Sequence, residues 1–271
     1  MEYKIGEVSN ILNIPIDTLR YYEKKNIVHP KKSANNNYRF YDAWEINYLI
    51  ECKKFRSYDF SLSEVEDILY HDSLTKFMDK IDDRQSYFEE RLKYYTLLME
   101  KNQVYQHSLH SIKKNLWECT LTEHPEIYYF IHRYNYTYKS KDQFGDFFDI
   151  WLGYFPFVET IIEIQEEAIL NRDHCNEHGW GFAIKKRYAD AFQIPLNEKI
   201  KHVESVKSVY TVICAGDKGS FSLQLLDKAM SFIEKHGYKL SGTITGNLLA
   251  RVHEPDGYQR YIEVWLPVTK L

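Results

Sequence analysis

The chain has 271 residues, 44% of them hydrophobic, and a formal net charge of −4. That balance excludes disorder as the main state and a nucleic-acid binder over the whole surface, but leaves room for a local basic patch. Met1 to Asn10 lacks a basic start followed by an apolar run, and no stretch approaches the ~18 apolar residues of a membrane span, so a cytoplasmic protein without membrane contact is expected. Cys52, Cys119, Cys175 and Cys214 are too far apart for a disulfide framework or zinc finger and read as buried free thiols.

Ile5, Val8, Ile11 and Leu12 recur at helical spacing until Pro15 interrupts them, and Asp17 or Thr18 can cap a second helix containing Leu19 and Tyr22. Two short helices with a tight connection read as a helix-turn-helix. Residues 17–39 hold six basic side chains against two acidic ones, a local balance of +4. Loop chemistry follows from Asn26 to Asn37, and Tyr38-Arg39-Phe40-Tyr41 alternates like a small β-wing. Helices are expected at about 43–55 and 62–69, the second opened by Ser61-x-x-Glu64 or its neighbour Ser63-x-x-Glu66.

Residues 76–117 contain neither Gly nor Pro. Positions 81, 85, 88, 92, 95, 99, 102, 106 and 109 step by four and three and are mostly apolar, predicting a rod of ~60 Å that pairs with another helix. Tyr105, Leu109, Ile112 and Leu116 drift from that frame, which predicts a change of partner beyond Asn102. After Trp117 the period becomes that of strands, at 126–134, 158–165, 180–187, 207–215, 243–253 and 259–268, with helices at about 142–152 and 220–236. Strand, helix, strand, strand occurs twice, suggesting a duplication with two half-sheets facing each other. The expected fold class is α+β multidomain: a winged helix-turn-helix, a long coiled-coil dimerisation helix and a duplicated α+β ligand-binding domain.

Ile5-Gly6-Glu7-Val8, Thr18-Leu19-Arg20-Tyr21-Tyr22-Glu23, Tyr38-Arg39-Phe40-Tyr41 and Phe60-Ser61-Leu62-Ser63-Glu64 occur in order within residues 3–69. This stretch resembles the winged-helix DNA-binding domain of the MerR family of transcription regulators. Residues 119–271, through their duplicated layout and closing Tyr261 to Val268, resemble the GyrI-like effector-binding domain of the multidrug-sensing branch. The resemblance implies residues 1–75 as DNA-binding domain, 76–117 as dimerisation coil and 118–271 as effector-binding domain. Asn26 and Asp59 stand where the family commonly has glycine.

The resemblance further implies a homodimer on double-stranded promoter DNA that untwists the spacer for RNA polymerase, a deformation costing on the order of 1 to 10 kcal/mol. The helix beginning near Asp17 would enter a major groove, with Arg20 and Tyr21 at base edges, Thr18 near the helix start, and Tyr22, Tyr38, Arg39 and Lys54 at phosphates. The resemblance also implies activation of multidrug efflux or resistance genes.

Charged residues flanked by aromatics suit a flat, lipophilic, cationic aromatic ligand. Glu263 resembles the glutamate that such effector domains present, and alternation sets Tyr261, Glu263 and Trp265 opposite Ile262, Val264 and Leu266. Tyr129, Phe147, Trp151, Phe182 and Tyr210 are further pocket candidates. A metal- or redox-responsive regulator is the alternative, with His174, Cys175 and His178 as its thin basis; an exposed loop is the favoured reading there, and no metal site or cofactor is assigned. No nucleophile-base set stands at readable spacing, so neither a hydrolytic protein nor a ligand-sequestering one is favoured, and the chain reads as no enzyme.

Overall fold

Packing around Leu19, Ile27, Tyr41, Leu49 and Phe55 draws the first seven elements together. They are β1 (Tyr3–Lys4), α1 (Ile5–Leu12), α2 (Ile16–Lys24), β2 (Lys31–Lys32), β3 (Arg39–Tyr41), α3 (Ala43–Ser57) and α4 (Leu62–Tyr70). The computed structural model describes residues 2–33, 38–140, 147–170, 177–216 and 221–271. It divides into units Met1–Tyr94 and Tyr95–Leu271, and the division falls inside the 42-residue helix α5 (Leu74–Asn115).

In the first unit β3 lies between β1 and β2, forming the expected wing; residues 34–37 of its loop fall outside the described residues. Helix α2 starts at Ile16, directly after extended Pro15, slightly earlier than the Asp17 or Thr18 cap suggested. Asp42 caps α3 by accepting from the Trp44 and Glu45 amides at 2.8 and 3.0 Å. Ser61 and Glu64 form the reciprocal capping box of α4, so the earlier of the two candidate pairs is the one used. Asn26 and Asp59, the two departures from glycine, both adopt the left-handed backbone, at φ 55° and 64°. Asn and Asp tolerate that region better than other non-glycine residues, which lets the chain turn after α2 and before α4. Arg84 on α5 bonds Glu64 at 3.0 Å and lies 4.2 Å over the Phe60 ring, tying the start of α5 to α4.

The second unit contains β4 (Thr120–Glu123), β5 (Ile127–Tyr134), β6 (Thr137–Tyr138), α6 (Phe147–Leu152), β7 (Val158–Ile164), α7 (Glu166–Leu170), β8 (Gly179–Lys185) and α8 (Lys186–Phe192). It continues with β9 (Lys201–Val203), β10 (Lys207–Gly216), α9 (Asp227–Lys235), β11 (Tyr238–Leu240), β12 (Ile244–Glu254) and β13 (Gly257–Lys270). The six expected strands are β5, β7, β8, β10, β12 and β13. The helix expected at 220–236 is broken into a 3-10 turn, Leu223–Leu226, and α9, which ends at Gly237 with φ +71°; residue 220 lies outside the described residues. The part of helix 142–152 before Phe147 lies outside the described residues.

The two halves do not form facing sheets. They join edge to edge through β7 and β12, from Ile164↔Ile244 to Ile161↔Asn247, giving one sheet of order β4-β10-β13-β12-β7-β8-β5-β6. The reason is hydrogen bonding: each half would otherwise leave a strand edge with unpaired backbone groups. Ile162, Ile164, Val209, Ile262, Val264 and Leu266 pack on one face with the apolar side of α9. The other face takes Ile112 of α5 against Val212 and Leu249, with Leu109, Leu116, Tyr210 and Tyr261 beside them. The drifting apolar series of α5 therefore packs on this sheet. Small residues are required where β8 meets β5: a Cβ on Gly181 would lie 1.7 Å from the Phe130 carbonyl oxygen.

Cys52 is buried, with its thiol pushed up to about 11 by burial, whereas Cys119 and Cys214 are only half-buried, contrary to the expectation for them; Cys175 lies outside the described residues. Ile112→Ala should destabilise the second unit by about 2–4 kcal/mol. Urea unfolding of the full chain, followed by tryptophan fluorescence, measures it; a loss under ~1 kcal/mol would mean that the helix-to-sheet packing contributes little.

Candidate functional sites: a basic helix face and a buried acidic sheet face

Four of the seven DNA-contact candidates lie on α2 and differ in what they present. Tyr21 is 49% exposed, while Tyr22 packs against the core cluster. Burial raises the Tyr22 pKa, with Cys52 beside its hydroxyl. Neighbouring positions on a helix point ~100° apart, so one tyrosine is available and the other is largely structural. Arg20 bonds Asp17 at 3.1 Å between two exposed side chains, a pair weak enough to exchange for another anion. Thr18 is partly exposed.

On the wing, Tyr38 is 58% exposed. Arg39 is held by Glu23 at 2.5 Å, and Lys32 reaches the same carboxylate at 2.8 Å. Burial pushes the Glu23 carboxyl upward, but the bonds and charges of Arg39 and Lys32 outweigh it and hold it below its ordinary range. Arg39 thus joins α2 to the wing. Lys54 on α3 pairs with Glu51 at 2.9 Å and is exposed.

In the second unit, antiparallel partners share a face. On β7, Glu159 lies opposite Ala183, and Glu163 opposite Gly179 and Thr245. Asn247 lies opposite Glu263, and Trp265 opposite both Thr245 and Tyr210. Glu159, Glu163 and Glu263 therefore occupy one face, the one that packs on α5. Ile162, its partner Trp180 and Val264 have the other parity and belong to the face that α9 covers.

Each carboxylate has its own partners. Glu263 accepts from Tyr210 and Asn247, both at 3.3 Å. Strand β12 approaches closely here, since a Cβ on Gly246 would lie 2.6 Å from the Glu263 carbonyl oxygen. Burial first, then the Glu159 charge, pushes the Glu263 carboxyl up to about 7. Burial and the Glu263 charge in turn raise Tyr210. Glu163 accepts from Tyr129 at 2.8 Å and from Lys201 at 2.5 Å. Glu159 is paired with Lys101 of α5. Burial pulls the Lys101 ammonium below its ordinary range, and the Glu159 charge acts the other way. His124, lowered to about 4 by burial, bonds Thr245 at 2.6 Å and packs edge-on to Trp265 at 5.3 Å.

The cavity beside these groups has a volume of about 300 Å³ and is lined by Leu98, Lys101, Asn102, Tyr105, Phe155, Pro156, Val158, Glu159, Thr160 and Leu248. The pocket residues proposed from sequence are thus separated. Tyr210, Glu263, Trp265 and Tyr129 share the acidic face, with Tyr261 packed beside Tyr210. Glu263 is buried and is not among the residues that line the cavity. Trp151 and Phe182 belong to an aromatic cluster around Phe130 on the opposite face, at 5.2 and 5.9 Å, because Phe182 has the parity of Trp180 and Ile184. The Phe147 side chain lies outside the described residues. His178 is buried near Phe221, whereas His174 and Cys175 lie outside the described residues.

Sequence reasoning does not single out Lys101, Glu159, Glu163 or Lys201. A signal existed for the acids: Glu159-x-x-x-Glu163 puts two carboxylates on one side of an otherwise apolar strand. Lys101 carried none, being one of several basic residues in a polar helix.

Residues 3–72 match the family model described as MerR HTH family regulatory protein, so the first unit carries a MerR-type helix-turn-helix domain. The chain is 32% identical over 73 residues to a ZntR-homolog HTH-type transcriptional regulator of Haemophilus influenzae, covering 27% of this chain and 54% of that protein. It thus spans about half the length of that relative. It is 23% identical over 132 residues to a mercuric resistance operon regulatory protein of Bacillus cereus, covering 45% of this chain and 96% of the relative. Among solved structures, the EcmrR–DNA complex determined by cryo-EM aligns with 99% of this chain and 100% of that chain at 16% identity and TM-score 0.39.

The Glu263 environment predicts a pH-dependent cost. Its folded-state carboxyl lies near 7 against an ordinary 4.5, so the folded chain holds the extra proton between these values and loses stability as pH rises through them. Above pH 7 the cost is complete, on the order of 3 kcal/mol. Glu263→Gln should therefore raise the melting temperature at pH 8 and change it little at pH 4. An equal gain at both values would show that the charged form is not what the fold opposes.

Proposed function

We propose that the chain is a DNA-binding transcription regulator that responds to a small, lipophilic, cationic aromatic compound. The observation that carries the DNA-binding reading is the family match over residues 3–72 together with exposed Tyr21 and Arg20 on the second helix of the motif. Arg20 and Tyr21 read base edges, with Thr18 at the helix start. Tyr38 and Lys54 contact phosphates; Arg39 and Tyr22 support the same surface and contribute less, given their partners in the free protein.

The chain acts as a homodimer on promoter DNA in the cytoplasm. Ile81, Leu92, Tyr95 and Met99, exposed members of the series that steps by four and three along α5, supply apolar surface for the second copy. The C-terminal unit is the GyrI-like sensor. It binds its ligand without transforming it, at the acidic face that carries Glu263, Tyr210, Tyr261, Trp265 and Tyr129, and ligand biases the dimer toward a form that untwists the spacer for RNA polymerase. The target genes are those of efflux or resistance. A cation is favoured because buried carboxylates and aromatic faces both stabilise positive charge removed from water.

Arg20→Ala should lose about 1–3 kcal/mol of specific DNA binding and relax discrimination at one base of each half-site. Fluorescence anisotropy with the upstream promoter fragment and single-base variants measures it; unchanged sequence preference removes Arg20 from base reading. For the ligand, melting curves against lipophilic cations, neutral aromatics and divalent metals separate the readings, since a compound at 100 times its Kd adds about 2.7 kcal/mol. A shift with metals alone sinks the cationic-drug reading, and recovery of a chemically altered compound sinks the view that it only binds.

A further inference from the structure

Glu159 opens on the cavity, and the group that occupies it is already a cation. Its side chain is 22% exposed, that of Lys101 only 7%, and the two are paired. Lys101 lies on α5, with Leu98 and Tyr105 on the same side of the helix, and Phe155 and Leu248 also line the cavity. We propose that Glu159 is the carboxylate that receives the ligand's cationic centre, and that the Lys101 ammonium holds that position until the ligand replaces it. This rests on the cationic-ligand reading and names the residues that act in it.

The exchange follows from charge. A buried ammonium is stable only while it is paired, and a buried carboxylate left without a cation costs several kcal/mol, so the subsite is not emptied but traded. A second cation beside Lys101 would meet like charge, from Lys101 itself and from Lys185, whose charge reaches Lys101 and Glu263. A lysine is suited to leave, because its four-carbon stem stays against apolar surface while the ammonium moves to water.

The same sheet face repeats the design. Lys201 bonds Glu163 and lies 5.6 Å over the Tyr129 ring, so the chain itself answers a buried carboxylate with an ammonium and an aromatic face. Around Glu159, Tyr105 and Phe155 supply the aromatic lining. The ligand class is a monocation with an apolar body that fits about 300 Å³. Anions and compact, strongly hydrated metal ions do not match this lining.

Titration calorimetry with benzyltrimethylammonium, and with its uncharged carbon isostere neopentylbenzene, tests the assignment on the full chain. Lys101→Met should bind the cation about ten-fold or more tighter than wild type. Glu159→Gln should lose that cation, Lys201→Met should leave its affinity unchanged, and neopentylbenzene should not gain from Lys101→Met beyond about two-fold. Equal tightening by Lys101→Met and Lys201→Met would reduce the effect to net charge and overturn the assignment. Because Lys101→Met could fold poorly, acetic anhydride labelling of wild type gives an independent reading: benzyltrimethylammonium should increase acetylation at Lys101. Binding that depends on Glu263 and leaves Lys101 labelling unchanged overturns the exchange while sparing the cationic-ligand reading. Failure of both wild type and Lys101→Met to bind the cation overturns both.

Discussion

Three carboxylates on one face of a sheet must each be answered, and the second unit is arranged around how that is done. Glu163 draws Lys201 from β9 and the Tyr129 hydroxyl; Glu159 draws Lys101 from α5; Glu263 draws hydrogen bonds from the neutral donors Tyr210 and Asn247. Burial, and then the Glu159 charge, lifts the third carboxyl, and the two neutral donors together with the Lys185 charge offset this only in part. The helix is consequently an electrostatic partner of the sheet as well as a packing one. Its apolar residues Leu109 and Ile112 could rest on another surface, but Lys101 fixes which part of the helix faces Glu159.

The first unit solves a different problem with the same economy of means. Its basic residues are partly satisfied within the chain, Arg39 and Lys32 on Glu23 and Arg20 on Asp17. The two arginines differ in what release would require. Arg39 sits in a part-buried pair shared with Lys32, whereas the Arg20 pair is open to water and screened by salt. One basic residue, on the wing, is thus anchored for shape, and another, on α2, is left open to contact.

Much of this was legible from residue order. Alternation located the main strands, the capping box of α4 was visible as Ser61 and Glu64, and the drift of Tyr105, Leu109, Ile112 and Leu116 marked the part of α5 that packs on the sheet. The joining of β7 to β12 was not legible, because backbone hydrogen bonds between two edge strands leave no side-chain signature. The true face of Phe182 was within reach of the sequence: Gly179, Gly181 and Ala183 alternate with Trp180, Phe182 and Ile184, and the small set faces the acids while the large set faces the helices. The pairing of Lys101 with Glu159 spans 58 positions and carried no local mark.

The glycine at position 181 bears on how such a pocket could diversify. With the Phe130 backbone filling the space where a side chain would begin, position 181 of β8 cannot contribute bulk to the acidic face. The cavity is walled by other elements, and Leu98, Lys101, Asn102 and Tyr105 form the wall on α5. These four recur at three- and four-residue intervals, a single stripe of one helix. A lineage that changed its ligand would therefore rewrite the stripe that also seats the helix, so that altered recognition and altered helix seating would be inherited together.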